Sequence, residues 1–519
     1  MSLIQPRSLL VLALALPALA TATTTPDGIF GSGFDHTSVA ASSIRFADET
    51  SQRFDQLANS SYRFDAMWTD FNGDGCYDAW IFDHDNLATS RLWVNRCDGS
   101  NTFVLTSNDA VRYYIPNPDL PRGSGWVTLI DFNGDGRQDF WTRDASTLAA
   151  RYVNGTATAG ATPFFSGKEA ACDEHCVVAD INGDDRFDIV HANRAIEDAI
   201  SHVSLMAAAG SGGDRAPVDI DGDGWIDLVQ AGAGGYWHNN HGTLEWRSIP
   251  GLSGSNDLIV AADFDNDGDI DLITTTNGAK GKLFRNDGNG QFTNVSSGSG
   301  VDTLVYTDWW SGYGNMMAAD LDNDGLQDLV VAGEVTSPSI TILHNLGGLH
   351  FERVNINLGD AQGPSNWSAK SRAAVADFDN DGKLDIFKTQ DGSNAGLWHN
   401  TTATGSNHWM KVRVRSTGMN SDGIGADLKW YAAGTSRLLA HMSVQASNQH
   451  PQTWVHTGLG NNASVDLVVS WPHGGPVRRY NGLSTNQEVI VFPNPGTCLI
   501  QHWQPGAGWP LAAPASCGN

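Results

Sequence analysis

Residues 263 to 272 read "DFDNDGDIDL", which places Asp263, Asp265, Asp267, Asp269 and Asp271 at every second position. Carboxylates so close together repel one another unless a cation sits between them, and hard oxygen ligands at alternating positions are what Ca2+ selects. The stretch therefore reads as a calcium loop. The side chains of Asp263, Asp265 and Asp267 are expected to point inward, the carbonyl of Asp269 to add a ligand, and Asp271 to close the shell, while Gly268 lets the backbone turn sharply. An EF-hand is excluded, because position 12 is Thr274 rather than a bidentate Glu. The flanks "LIVAA" and "DLITTT" are short, apolar and partly β-branched, which argues for strand, loop, strand.

The pattern occurs seven times, with starts separated by 61, 49, 39, 44, 57 and 57 residues. Positions 1, 3, 5 and 9 are expected to give side chains and position 7 its carbonyl. The first copy offers Asp70, Asn72, Asp74 and Asp78 with Cys76; the second Asp131, Asn133, Asp135 and Asp139 with Arg137. The third offers Asp180, Asn182, Asp184 and Asp188 with Arg186; the fourth Asp219, Asp221, Asp223 and Asp227 with Trp225. The fifth is the stretch above. The sixth has Asp320, Asp322, Asp324 and Asp328 with Leu326, and the seventh Asp377, Asp379, Asp381 and Asp385 with Lys383. The third copy carries Asp185 where the others have Gly, and Asp tolerates a positive φ better than most residues.

These loops must be positioned by paired strands. Each follows one apolar run and precedes another, and after most copies comes a third run ending in Asn: "RLWVN", "ARYVN", "GYWHN", "KLFRN", "TILHN", "GLWHN". Segments such as "GQFTNV" and "LHFERV" supply a fourth strand. Four strands in each of seven units predict an all-β fold: a seven-bladed β-propeller over 59–404, with a calcium loop in each blade. Turn signals scattered through an ordinary sandwich would not repeat at this period. The third unit lacks the Asn-ending strand and is the least regular. The stretch "SIRFAD" is a candidate for a strand that closes the ring. Residues 405–493 alternate apolar and polar residues ("MKVRVRS", "VDLVVSW", "EVIVF") and predict a small all-β domain, followed by a Pro- and Gly-rich tail over 494–519.

The seven "DxDxDGxxD" loops, with "LFRNDGNGQFTNVS" after the fifth, resemble FG-GAP/VCBS repeats, the units of integrin α-subunit propellers and of many secreted bacterial proteins. Residues 407–430 and 458–492 resemble the ASPIC/UnbV domain. That pairing is the layout of the cartilage acidic protein-like family, and it implies an extracellular, calcium-stabilised binding protein. This chain departs from the family pattern in its "WPHGG" turn and in having no EGF-like cysteine module.

Composition agrees. The formal net charge is −27, but 25 of the 58 acidic residues are the proposed ligands, and seven Ca2+ ions would bring the charge to −13. The remaining acidity argues against nucleic acid or anionic lipid as partners. Residues 1–22 read as a secretory signal, with 23–58 as an N-terminal segment, and no later stretch is apolar enough to insert in a bilayer. Export, to the extracellular space, periplasm or cell surface, fits six cysteines that fall as the neighbours Cys76/Cys97, Cys172/Cys176 and Cys498/Cys517, expected to form three disulfides, the last of which pins the tail. The sequence shows no GxSxG elbow, HExxH motif, Walker loop or protease-type Cys/His pairing, and a carboxylate that holds Ca2+ is not free for acid–base work.

The chain has 18 Trp. Trp93, Trp237 and Trp398 recur at one strand position and are expected to pack between blades, whereas Trp309 and Trp310 lie in a connection where they can face a ligand. The function expected is binding or adhesion, to an extracellular protein or glycan. A calcium-dependent carbohydrate binder and a polysaccharide lyase or hydrolase are the alternatives.

Overall fold

The computed structural model describes residues 44–501, apart from 56–63, 73, 84–90, 106–126, 132–138, 144–147, 152–176, 191–195, 199–203, 207–214, 253–257, 277, 307–313, 334–339, 355–370, 391–394, 417, 419, 446–453 and 495–497. The predicted signal segment, Cys172, Cys176, Cys517, Trp309 and Trp310 lie outside the described residues.

The fold is almost entirely β. Seven successive antiparallel sheets each hold one acidic loop, always between their first two strands. The pairs are Phe64–Thr69 with Asp78–Asp83, Val127–Ile130 with Asp139–Arg143, Val177–Ala179 with Asp188–Val190, and Arg215–Val218 with Asp227–Gln230. Leu258–Ala262 with Asp271–Thr275, Asn315–Ala319 with Asp328–Ala332, and Ser371–Ala376 with Asp385–Gln390 complete the set. Register is the same throughout. The aspartate at position 9 opens the second strand, opposite the residue that precedes the loop, as in Thr69↔Asp78, Ala262↔Asp271 and Ala376↔Asp385.

The predicted third strands ending in Asn are present as Arg91–Asn95, Lys282–Asn286, Ile340–Asn345 and Gly396–Asn400, and the fourth sheet runs one residue further, Gly235–Asn240. The irregular third unit still forms four strands, with Ile196–Asp198 and Ser204–Met206 in place of an Asn-ending strand. The second sheet shows three strands among the described residues. The seventh takes its fourth strand from the start of the chain: Phe46–Asp48 pairs with Gly396–Asn400, so "SIRFAD" does return to the last repeat.

The core lies between neighbouring sheets, as it does in a propeller. Val177 and Ala179 of the third sheet, with Ile181 of its loop, pack on Leu228 of the fourth and Ile226 of its loop. Equivalent clusters join the fourth to the fifth, the fifth to the sixth and the sixth to the seventh. The seventh packs on the first through Phe378, Phe387 and Leu397 against Trp68, Trp93 and Phe103, so last and first repeats share a core.

The C-terminal region is two facing sheets. In one, Trp409–Val414 runs parallel to Gln487–Val491, flanked by Trp454–Gly458 and Cys498–Gln501. In the other, Asp427–Ala432 lies between Leu438–Ser443 and Ser464–Ser470, with Val477–Ser484 outside. Trp430, fully buried, donates its indole N–H to Met410 Sδ at 3.4 Å and so ties the two sheets together. The strand Cys498–Gln501 lies in the segment read from sequence as a tail; its alternating register with Gln487–Val491 draws it into the sheet.

Candidate metal centres

Each of the six acidic loops that are described throughout or nearly so, all but the second, is an eight-residue hairpin whose backbone is folded by its own carboxylates. Position 1 takes the N–H of position 6: Gly75 to Asp70 at 3.0 Å, Gly224 to Asp219 at 2.8 Å, Gly268 to Asp263 at 2.9 Å, Gly325 to Asp320 at 2.9 Å and Gly382 to Asp377 at 3.0 Å. In the third loop Asp185 makes the same contact to Asp180 at 2.9 Å with φ at 65°, so the Gly-to-Asp change keeps the turn. Position 5 takes the N–H of position 7: Cys76 to Asp74, Arg186 to Asp184, Trp225 to Asp223, Asp269 to Asp267, Leu326 to Asp324 and Lys383 to Asp381, at 2.8–3.0 Å. In the first loop Asn72 accepts the N–H of Asp74 at 3.0 Å. In the second, Asn133, Asp135 and Arg137 lie outside the described residues.

Position 9 is a latch. One oxygen of Asp78, Asp188, Asp227, Asp271, Asp328 and Asp385 accepts the N–H of position 2 at 2.8–3.2 Å. The other oxygen of Asp78, Asp227, Asp271, Asp328 and Asp385 accepts the backbone N–H of the Asn in the third strand at 2.6–2.8 Å. That Asn side chain then spans two sheets. Asn239, Asn286, Asn345 and Asn400 each donate to a carbonyl of their own loop and to a carbonyl of the preceding one: Ile181, Ile220, Phe264 and Leu321, at 2.7–2.9 Å.

Several oxygens are left over. Asp70 Oδ1, Asp188 Oδ1, Asp221 Oδ1, Asp265 Oδ1, Asp322 Oδ1, Asp324 Oδ2 and Asp377 Oδ1 are buried with no hydrogen-bond partner. Burial pushes the carboxyls of Asp70 and Asp219 up to about 6, Asp265 to about 7, and Asp188, Asp227 and Asp320 to about 8. Asp78, Asp271, Asp324, Asp328, Asp377 and Asp385 also stand well above the ordinary range, through burial first and then through neighbouring charges, chiefly carboxylates. A bound cation would take the place of the protons on the raised carboxyls and give the unpaired oxygens a partner. Sets of ligand atoms within 4.8 Å of one another occur at Asp219/Asp221/Asp223 and, with an imidazole, at Asp221/Asp227/His238, Asp322/Asp324/His344 and Asp379/Asp381/His399. The residues present fit a hard dication.

Those histidines are the residues that the loop pattern alone misses. Where position 3 is Asp, the residue before the strand's final conserved-register Asn is basic: His238 for Asp221, Arg285 for Asp265, His344 for Asp322 and His399 for Asp379. Where position 3 is Asn72 or Asn133, it is Val94 or Val153. His238 Nδ1 lies 3.0 Å from Asp221, His344 Nε2 3.2 Å from Asp322, and His399 Nε2 3.4 Å from both Asp379 and Asp381. Arg285 acts on Asp265 and Asp267 through its charge. The signal was available in "GYWHN", "KLFRN", "TILHN" and "GLWHN", as a basic residue that accompanies the extra carboxylate.

The C-terminal sheets lie over these loops. Gly458 N–H donates to Asp320 Oδ2 at 2.9 Å, and Ser421 Oγ bonds Asp131 Oδ2 at 2.5 Å. His441 Nδ1 sits 3.3 Å from Asp263 Oδ2 and His473 Nδ1 3.5 Å from Asp180 Oδ2. His473 N–H also reaches the carbonyl of Gly224, Lys411 Nζ bonds Asn380 Oδ1 at 3.3 Å, and the charge of Arg413 bears on Asp70. Every one of the seven loops is met. Burial pushes the His441 imidazole down, but Asp427 and Asp263 outweigh it and hold the group at about 9. Lys411 pairs with Glu488 at 2.7 Å and faces the rings of Tyr77 and Trp454.

The remaining sequence candidates fall as follows. Trp93 and Trp398 are buried between the seventh repeat and its neighbours, and Trp237 is half-buried, edge-to-face with the exposed Trp246 at 5.1 Å. Cys76 and Cys97 form a disulfide beside the first loop. No helix among the described residues is long and apolar enough to cross a membrane.

The FG-GAP-like repeat model matches residues 219–274, 263–331 and 320–388, and the ASPIC and UnbV model matches 416–497. Cartilage acidic protein 1 of Mus musculus is 24% identical over 489 residues, covering 79% of this chain and 70% of that protein. The Homo sapiens protein of the same name is 22% identical over 438 residues, covering 71% of this chain and 63% of its own length, which is under two thirds. Among solved structures, an Agrocybe aegerita lectin that recognises non-reducing terminal N-acetylglucosamine has a TM-score of 0.31 at 18% identity, covering 78% of this chain and 87% of that one. A Bacillus licheniformis rhamnogalacturonan lyase has a TM-score of 0.40 at 12% identity, covering 69% and 76%. Likeness at that level carries no argument about function. The chain carries FG-GAP-like repeats and an ASPIC/UnbV domain, and it is a homologue of cartilage acidic protein 1.

Proposed function

We propose that this chain is a secreted, calcium-loaded, seven-bladed propeller that acts as a binding or adhesion protein, with up to seven Ca2+ ions in a structural role. The observation that carries the reading is the set of buried carboxylate oxygens without partners in loop one and loops three to seven. Ca2+ bound there would neutralise carboxylates that burial otherwise forces to hold protons, and it would stiffen the turn that starts each sheet's second strand. The ligands are the loop residues at positions 1, 3, 5 and 9 with the carbonyl at position 7.

A structural role follows from distribution, since one loop sits in each of the seven sheets beneath the C-terminal domain instead of all ligands converging on one reactive centre. A partner is then met on surfaces that the C-terminal sheets leave free. Secretion is supported by the apolar N-terminal run, the Cys76–Cys97 disulfide and the homology to cartilage acidic protein 1. The test is metal content of the purified protein together with thermal melts in Ca2+ and in chelator. Several equivalents of Ca2+ and a melt lowered by chelation support the reading, and an unchanged melt sinks it.

One observation favours a glycan as the partner. Trp246, exposed on the outer strand of the fourth sheet, leans edge-to-face on Trp237 and offers a platform for a sugar ring. A glycan array probed with wild type and Trp246→Ala separates this from a protein partner, because only a glycan site would lose signal with the variant.

A further inference from the structure

We propose that cation binding in the acidic loops and seating of the C-terminal sheets on them are one coupled equilibrium, each stabilising the other; this rests on the reading of the loops as Ca2+ sites. The geometry divides the carboxylates at position 1 between two tasks. In the third, fifth and sixth loops the Oδ2 of Asp180, Asp263 and Asp320 takes the loop's own position-6 N–H, and the same oxygen faces a group from the C-terminal sheets: His473, His441 and the Gly458 N–H. In the second loop Ser421 meets Asp131 Oδ2. The C-terminal domain therefore grips the outer oxygen of the residue whose loop would hold the ion.

Fit is close as well as polar. A Cβ at Gly458 would stand 2.2 Å from the Asn323 backbone, and one at Gly382 would stand 1.9 Å from the Trp409 indole, so backbone of each part touches the other without room for a side chain. Between them lies a cavity of about 120 Å3 lined by Val260, Ala261, Met317, Ala319, Ala374 and Trp454. Loops that lose their ions regain carboxylate repulsion and shift, and the contacts that depend on their shape go with them. In reverse, a domain held off the loops lets water onto Asp320 and Asp263, both fully buried here, and raises the effective dielectric around the ion. Linkage makes the two effects equal in size.

The experiment uses the whole chain. Ca2+ affinity is measured by calorimetry for wild type, Gly458→Val, which wedges the sixth loop, and the milder Ser421→Ala/His473→Ala pair, which only deletes contacts. Proteolysis of the 401–408 connection and binding of an apolar dye are followed with Ca2+ and with chelator. The expected result is a loss of affinity of roughly 5- to 100-fold in the variants, the usual span of such coupling, with faster cleavage and a dye signal when wild type is chelated. If Gly458→Val does not fold, the double variant and the wild-type chelation arm carry the test alone. Equal Ca2+ affinity in variants and wild type, with 401–408 equally protected in chelator, overturns the coupling and leaves the calcium reading standing. No Ca2+ uptake by folded wild type overturns both.

Discussion

At the scale of single residues, position 3 of the loops is settled by two routes. A loop either carries Asn at position 3, or carries Asp there with a basic residue facing it, and in the sixth loop that pair, Asp322 and His344, has no exposure at all. His344→Val is expected to cost about 1–3 kcal/mol, because it leaves a buried carboxylate without its partner. Adding Asp322→Asn copies the Asn72/Val94 combination of the first loop and should recover most of the loss. Denaturant titrations of both single variants and the double, in saturating Ca2+, form the cycle that measures this. Additive losses would show that the imidazole serves something other than Asp322.

At the scale of elements, the Asn near the end of each third strand joins neighbouring repeats. Asn345 donates to Phe264 O in the fifth loop and Gln327 O in its own, at 2.8 and 3.1 Å, and accepts the Gly347 N–H at 3.0 Å. Asn345→Ala leaves buried backbone groups unpaired and is expected to destabilise by about 2–4 kcal/mol. Urea unfolding with Ca2+ present checks it, and a loss under about 0.5 kcal/mol would deny the Asn its part as a strut. The sequence showed that these strands end in Asn, but not that the amide reaches the preceding repeat, since that carbonyl lies 58 to 81 residues away.

For the whole molecule, the raised carboxyls set how stability depends on pH when no cation is bound. A carboxyl at about 6 to 8 in the folded protein, against an ordinary 3.8, means the native state holds more protons than the unfolded one. Stability then falls as pH rises from about 4 to 8, and is recovered on acidification. Melts in chelator should therefore rise in midpoint from pH 8 to pH 5, whereas melts in saturating Ca2+ should rise less or fall, because protons then compete with the ion. Parallel profiles in the two conditions would show that the loops take no cation.

The repeat, the loop and the strands that flank it were all legible in the sequence, because a hairpin loop eight residues long is local and its turn glycines and alternating carboxylates are read directly. The sequence also determined that the loop carboxylates need a partner, through like charge at fixed spacing. Tertiary structure decided the rest. The pairing of Phe46–Asp48 with Gly396–Asn400 joins residues some 350 positions apart, and the strand Cys498–Gln501 gains its place only from Gln487–Val491 beside it. The C-terminal sheets settle over all seven loops through contacts as far apart as Asp131 and Ser421. Contacts of that separation leave no periodicity in a sequence, since they depend on which surfaces meet once the local elements have formed.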